Sequence, residues 1–173
     1  MKLFSSFFVI MIALIIIPVS NAETYMNVTA TRVSIKSGIG KAKPYAATVK
    51  LGYRFSESLA VEAQYGSNAS DDGLSGGKVE VDKLTALFLR MGGNSSYNGV
   101  RTYLLLGTSK TDIKYTGVPV PGEGSIEGTA WGIGAEEFSK SVRNMAYVLE
   151  YLQYADEKDT KIMGLSLGVR YNF

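Results

Sequence analysis

The sequence predicts an all-β chain, an eight-stranded antiparallel up-and-down transmembrane β-barrel. Three observations lead to that reading. The chain opens with an export-type leader, most of its remaining length alternates apolar and polar residues with period two, and its final strand ends on an aromatic residue.

The leader comes first. Lys2 is the only charge before an unbroken apolar run from Phe7 to Ile17, which is followed by Pro18, Val19, Ser20, Asn21 and Ala22. A basic start, an apolar stretch and small residues at Ser20 and Ala22 predict a signal peptide over residues 1–22, cleaved after Ala22. The same run is short for a membrane anchor, because a bilayer asks for about 20 apolar residues. Residues 23–173 are then the barrel domain, a length suited to a single domain.

Composition narrows the classes further. The chain has no cysteine, so disulfides contribute nothing to its stability. A net charge of +2 without a basic block argues against nucleic acid as a partner. No second apolar run is long enough for a membrane helix. Entry into lipid therefore requires a closed barrel, the only strand arrangement that satisfies every backbone group internally.

The strands follow in order. The first, around residues 25–37, is the weakest pattern, with Val33 and Ile35 opposing Arg32, Ser34 and Lys36. Over residues 45–55 one face carries Tyr45, Ala47, Val49, Leu51, Tyr53 and Phe55, and the other Ala46, Thr48, Lys50, Gly52 and Arg54. A tight turn at Ser56, Glu57 and Ser58 leads into Leu59, Val61, Ala63 and Tyr65 against Ala60, Glu62, Gln64 and Gly66. Next, Val79, Val81, Thr85, Leu87, Leu89 and Met91 oppose Glu80, Asp82, Leu84, Ala86, Phe88 and Arg90. Lys83 falls on the apolar face near the loop end, where it can snorkel.

Val100, Thr102, Leu104 and Leu106 oppose Arg101, Tyr103, Leu105 and Gly107 in the fifth strand. In the sixth, Trp131, Ile133 and Ala135 oppose Gly128, Ala130, Gly132, Gly134 and Glu136. Met145, Tyr147, Leu149 and Tyr151 oppose Ala146, Val148, Glu150 and Leu152 in the seventh. Read back from Phe173, the last strand sets Tyr171, Val169, Leu167, Leu165 and Met163 against Asn172, Arg170, Gly168, Ser166, Gly164 and Ile162. Met145, Val148, Leu149 and Leu152, like Leu84, Leu87, Phe88 and Met91, also fit helical spacing. Their Gly-rich and β-branched surroundings favour strands.

Connection lengths alternate, though imperfectly. Short links at 56–58 and 140–143 contrast with longer ones at 68–77 and 113–125, the last containing Pro119 and Pro121. Short periplasmic turns and longer external loops, with both termini periplasmic, are the habit of transmembrane barrels. The link at 92–99 is long for a turn, and those at 38–42 and 156–160 are short for external loops.

Alternation alone leaves open which face is outside, since a soluble lipid-carrying barrel also alternates. Here the polar face is built largely of small residues that suit a crowded interior. Its charges are of both signs: Arg32, Lys50, Arg54, Glu62, Glu80, Asp82, Arg90, Arg101, Glu136, Glu150 and Arg170. Such a set predicts a paired interior network, because buried charges persist only when compensated. Aromatics near strand ends (Tyr25, Tyr45, Phe55, Tyr65, Phe138, Tyr171 and Phe173) are placed to straddle the two membrane interfaces.

On these features the chain from residue 23 onward resembles the small outer-membrane β-barrel proteins, the group that includes the membrane domain of outer membrane protein A. The resemblance rests on the leader, on Leu51-Gly52-Tyr53-Arg54-Phe55, on Ala60-Val61-Glu62-Ala63-Gln64-Tyr65-Gly66, and on the terminal Gly168-Val169-Arg170-Tyr171-Asn172-Phe173. It implies residence in the outer membrane of a Gram-negative bacterium, and that Tyr171 and Phe173 carry a terminal signal for the barrel-assembly machinery. It does not name an activity.

Chemistry is scarce. Without histidine and cysteine no Ser–His–acid or Cys–His arrangement can form, which removes the usual nucleophilic triads and the ordinary zinc site. Ser75-Gly76-Gly77-Lys78 has a Ser-x-x-Lys spacing but lies in an expected loop without companion motifs. Gly128, Gly132 and Gly134 alternate along a strand, so they make room inside a barrel more simply than they form a nucleotide loop. Acidic loop residues Asp71, Asp72, Asp156, Glu157 and Asp159 lack a complete cation-ligand pattern. No catalytic residue, cofactor or metal is assigned.

The expected role is non-enzymatic, structural or in surface interaction. Partners would be outer-membrane lipid and lipopolysaccharide, the assembly machinery, and a host or cell-surface ligand at the external loops. A narrow channel for ions or small solutes is the alternative, although a barrel of about eight strands is just wide enough for side chains to fill.

Overall fold

The computed structural model describes residues 23–38, 40–74, 77–92, 99–117, 122–157 and 160–173. The expected signal peptide, the tip of the link at 92–99 and both prolines of the link at 113–125 lie outside them. Within the described residues the chain forms β1 (Glu23–Ser37), β2 (Gly40–Ala42), β3 (Tyr45–Ser56), β4 (Leu59–Ser70), β5 (Asp72–Leu74), β6 (Gly77–Gly92), β7 (Val100–Thr116), β8 (Gly122–Phe138), β9 (Met145–Glu157) and β10 (Thr160–Asn172).

Each long strand pairs antiparallel with its sequence neighbour, and β10 returns to β1 from Tyr25↔Asn172 to Lys36↔Lys161. The eight long strands thus close into an up-and-down barrel with no free sheet edge around its waist. The remaining two are short: β2 folds back on β1 and β5 on β6. Glu23, Phe173 and the turns at Glu57–Ser58 and 139–144 share one end, the turn end. In the second turn Asn144 adopts φ 64°, a left-handed conformation that asparagine tolerates. The Ser139 hydroxyl accepts the Val142 N–H at 3.1 Å there, which tightens the loop.

A belt of apolar side chains faces outward. Leu51 is 61% exposed, Leu167 64% and Ile133 53%, values that a water-facing protein has no means to compensate over a whole circumference. The belt is the lipid-facing surface that the alternation requires. Tyr45 and Tyr65 stand outward at its loop-end rim, and Tyr147, Tyr171 and Phe173 at its turn-end rim.

The expected phase fails in three places, each for an identifiable reason. In β6, Val81 pairs with Ile113 and Lys83 with Asp112, so Asp82 is an extra bulged residue. The bulge shifts the strand by one, turning Val79 and Val81 inward and Glu80 and Asp82 outward. In β3, Arg54 pairs with Ala60 and Ser56 with Leu59, leaving Phe55 bulged and buried rather than at the outer interface. In β1 the faces are simply reversed: Val33 and Ile35 are buried, while Arg32 points outward over the Tyr45 ring. Tyr25, expected at the interface, is also inside and 1% exposed.

The connection expected at 113–125 is partly strand. The β7–β8 ladder continues through Ile113↔Gly124 to Tyr115↔Gly122, so each strand runs 17 residues. A membrane crossing needs about 9–11 tilted residues, which leaves this hairpin projecting well past the belt.

Candidate functional site

The only sizeable concentration of chemistry among the described residues is the barrel interior, and it is layered along the axis. The turn end, which in a transmembrane barrel faces the periplasm, opens on a rim of charge. Arg54 donates to Glu23 at 3.0 Å, and Arg101 lies over the Phe138 ring. A cleft lined by Arg54, Arg90, Arg101 and Glu136 holds about 20 Å³, room for roughly one water.

Above the rim runs a chain of six charges of alternating sign. Arg170 pairs with Glu136, and Glu136 with Arg90 at 2.7 Å. Arg90 reaches Glu62 at 3.3 Å, Glu62 approaches Lys50 at 3.6 Å, and Lys50 pairs with Glu150. The chain crosses from β10 through β8, β6, β4 and β3 to β9 and ties together strands far apart in sequence. Every member is buried. Three cations meet three carboxylates, so the interior is neutral, the condition under which buried charge is tolerated.

Tyrosines complete it. The Tyr25 hydroxyl donates to Glu62 at 2.7 Å and the Tyr103 hydroxyl to Glu150 at 2.8 Å. Their rings also face the guanidinium groups, with Arg90 3.5 Å from the Tyr103 centroid and Arg170 4.6 Å from that of Tyr25. Room for these rings comes from Gly52, paired with Tyr25, and Gly134, paired with Tyr103, since a Cβ at either glycine would overlap the facing ring.

The next layer is hydroxyl-rich. Thr29 bonds Thr48, Thr31 bonds Ser166 at 2.8 Å, and Gln64 donates to the Tyr154 hydroxyl at 2.9 Å. Tyr154 is the extra residue of a bulge in β9, and its carbonyl accepts from Ser109 at 2.6 Å. Beyond this layer the interior is apolar. Val33, Ile35, Val79, Val81, Ile113 and Ile162 fill the loop-side half, each 3% exposed or less.

Of the residues expected in a charged interior, the structure therefore brings together Lys50, Glu62, Arg90, Glu136, Glu150 and Arg170. Arg54 and Arg101 stand at the mouth. Three are not interior residues at all. Arg32 was misassigned by strand phase and Glu80 and Asp82 by the β6 bulge; Glu80 accepts from Asn68 at 3.0 Å, and Asp82 pairs with Lys114 at 2.6 Å, on the outer surface. Sequence reasoning missed the tyrosine caps and the apolar layer. The one signal for the caps was a tyrosine facing a glycine across a ladder, which is visible only once the register is known.

Other sequence candidates dissolve into structure. Lys78 of the Ser-x-x-Lys spacing pairs with Asp71 at 2.8 Å, while Ser75 lies outside the described residues. Gly132 and Gly134 face inward on β8. No group of three or more acidic side chains is placed to hold a metal among the described residues.

Comparison with known proteins agrees with this architecture. No curated protein matches the sequence. Among solved structures, the attachment invasion locus protein Ail of Yersinia pestis is similar with a TM-score of 0.65 at 19% identity, covering 88% of this chain and 99% of Ail. Neisserial surface protein A gives 0.67 at 19% identity, with 89% and 100% covered. The N-terminal β-barrel domain of Pseudomonas aeruginosa OprF gives 0.60 at 15% identity, with 88% and 100% covered. At these identities the likeness speaks for the fold. The sequence profile described as "Outer membrane protein beta-barrel domain" matches residues 7–173. The chain belongs to that family: it is a small integral β-barrel protein of the bacterial outer membrane.

Proposed function

We propose that this protein is a closed, non-enzymatic barrel that acts at the cell surface through its external end. The observation that carries the reading is the layered interior. Each carboxylate of the charge chain is held against a cation, and an apolar layer above it gives ions no wetted path, since narrow apolar constrictions exclude water. What remains available to partners is the outer surface, where the β7–β8 hairpin carries Lys110, Glu127 and Lys114 beyond the membrane belt. Support by analogy comes from Ail, a protein of the same fold whose structure has been solved in complex with the heparin analogue sucrose octasulfate.

The same reading includes export with cleavage after Ala22, recognition of Tyr171 and Phe173 by the assembly machinery, and contact with lipopolysaccharide and a host or cell-surface ligand. The chain folded from residue 23, inserted in a planar bilayer, tests the core of it. Folded protein that passes no current is expected. Reproducible ion-selective steps would overturn the closed barrel in favour of a narrow channel.

A further inference from the structure

The outer surface at the loop-end rim is electrically uneven. On the β6–β7–β8 side, three lysines have carboxylate partners, Lys78 with Asp71, Lys110 with Glu127 and Lys114 with Asp82, and Lys83 lies over the Tyr65 ring. On the β1–β2–β10 side, among the described residues, Lys36, Lys41 and Lys43 have none. Lys36 sits in the ladder between Lys41 of β2 and Lys161 of β10, three lysines abreast on one outward face. Like charges directly opposite one another destabilise a sheet. Only Lys161 has a carboxylate, Asp156 at 2.8 Å. Asp72 lies nearby, but it accepts the Lys43 backbone N–H at 2.6 Å rather than pairing with an ammonium. Lys43 first, and Lys36 next, hold the Lys41 ammonium below its ordinary pKa, the mark of a positive field without an answering anion.

Beneath the lysines lies a groove on the lipid face. Arg32, Ser34 and Lys43 line one side, and Tyr151, Met163 and Leu165 the other. Arg32 and Lys36 are four residues apart, about 13 Å along a strand. The surface thus joins an apolar floor at belt height to a ladder of lysines just above it, in which a single carboxylate answers three ammonium groups.

We propose that this face holds a phosphorylated lipid of the outer leaflet, its phosphates on Arg32, Lys36, Lys41 and Lys43 and an acyl chain against Tyr151, Met163 and Leu165. The assignment deepens the expected contact with lipopolysaccharide by giving it one side of the barrel, and it rests on the outer-membrane placement but not on whether the interior conducts. Charge complementarity chooses this occupant. A zwitterionic lipid would leave the lysine row uncompensated, and a soluble anion would make no use of the groove.

The test folds the protein in phosphatidylcholine liposomes, with a gel-mobility assay to establish the folded barrel in every variant. Binding of diphosphorylated lipid A is then measured against its dephosphorylated form. Lys36→Ala combined with Lys43→Ala should weaken binding roughly 30-fold, given the usual worth of a basic residue at an anionic membrane surface. Lys140→Ala combined with Arg143→Ala removes the same charge from the exposed turn end and should change it less than about threefold, since that end lies beyond the screening length from the groove. Equal losses in both double variants, or equal binding of the dephosphorylated lipid, would refute the site. Displacement of bound lipid A by inorganic phosphate alone would also refute it, by showing a free-anion site.

Discussion

Arg90 is the pivot of the interior, because it contacts two of the buried carboxylates, Glu62 and Glu136, and stacks on a tyrosine that caps a third. Removing it strands negative charge where water cannot follow. Arg90→Ala should therefore lower stability by about 3–5 kcal/mol in urea-induced unfolding from liposomes, the range for breaking one partner out of a buried pair. Arg32→Ala makes a direct contrast. Both arginines belong to apparently alternating strands, yet Arg32 has only the Tyr45 ring at 5.8 Å on the outer surface. Its loss should cost less than about 1 kcal/mol. Similar unfolding midpoints for the two variants would contradict the placement of either one.

At the scale of the element, the β6 bulge explains why a strand with acidic residues at alternate positions keeps them out of the core. Asp82 has no partner in the β7 ladder, so a chain lacking Asp82 would form a continuous ladder with Val79, Val81 and Leu84 still inward. Deletion of Asp82 should leave the folded gel mobility intact while freeing Lys114. Loss of the folded form would mean that the bulge is needed for closure itself. At the top of the same strand, Lys78 donates to Asp71 and, with a backbone bond of its own residue, holds that carboxyl below the ordinary aspartate range. A depressed carboxyl pKa stabilises above the unfolded value and loses that contribution as pH falls through the folded one. An NMR titration of Asp71 should place its midpoint low, and Lys78→Ala should bring it back up.

For the whole molecule, closure couples the strand pairing to the stack of layers inside. The sealing layer includes a directly paired contact, Val81 with Ile113. Replacing both with serine keeps the volume small but wets the constriction. The double variant should show current in a bilayer where the parent shows none, provided that the apolar layer rather than the charge chain is the seal. A silent, folded double variant would assign the seal to the ion pairs below.

How much of this was legible in the sequence follows from the physics of a two-period chain. Alternation in β4, β7, β8, β9 and β10, and in β3 as far as Arg54, could be read directly, because lipid on one side and a narrow lumen on the other demand opposite chemistry at successive residues. That was enough for the barrel, its strand number, its membrane and six of the interior charges. The sequence alone did not reveal where alternation breaks. A bulge adds one residue to one strand, and its position is set by the register with the neighbour, so Phe55, Glu80 and Asp82 could be placed only after pairing was known. β1 was misread because valine and isoleucine suit lipid and an apolar plug equally well; the axial level decides between them. Composition and period belong to the chain. Register, axial level and the meeting of Tyr25 with Gly52 or Tyr103 with Gly134 arise only when strands distant in sequence are hydrogen-bonded side by side.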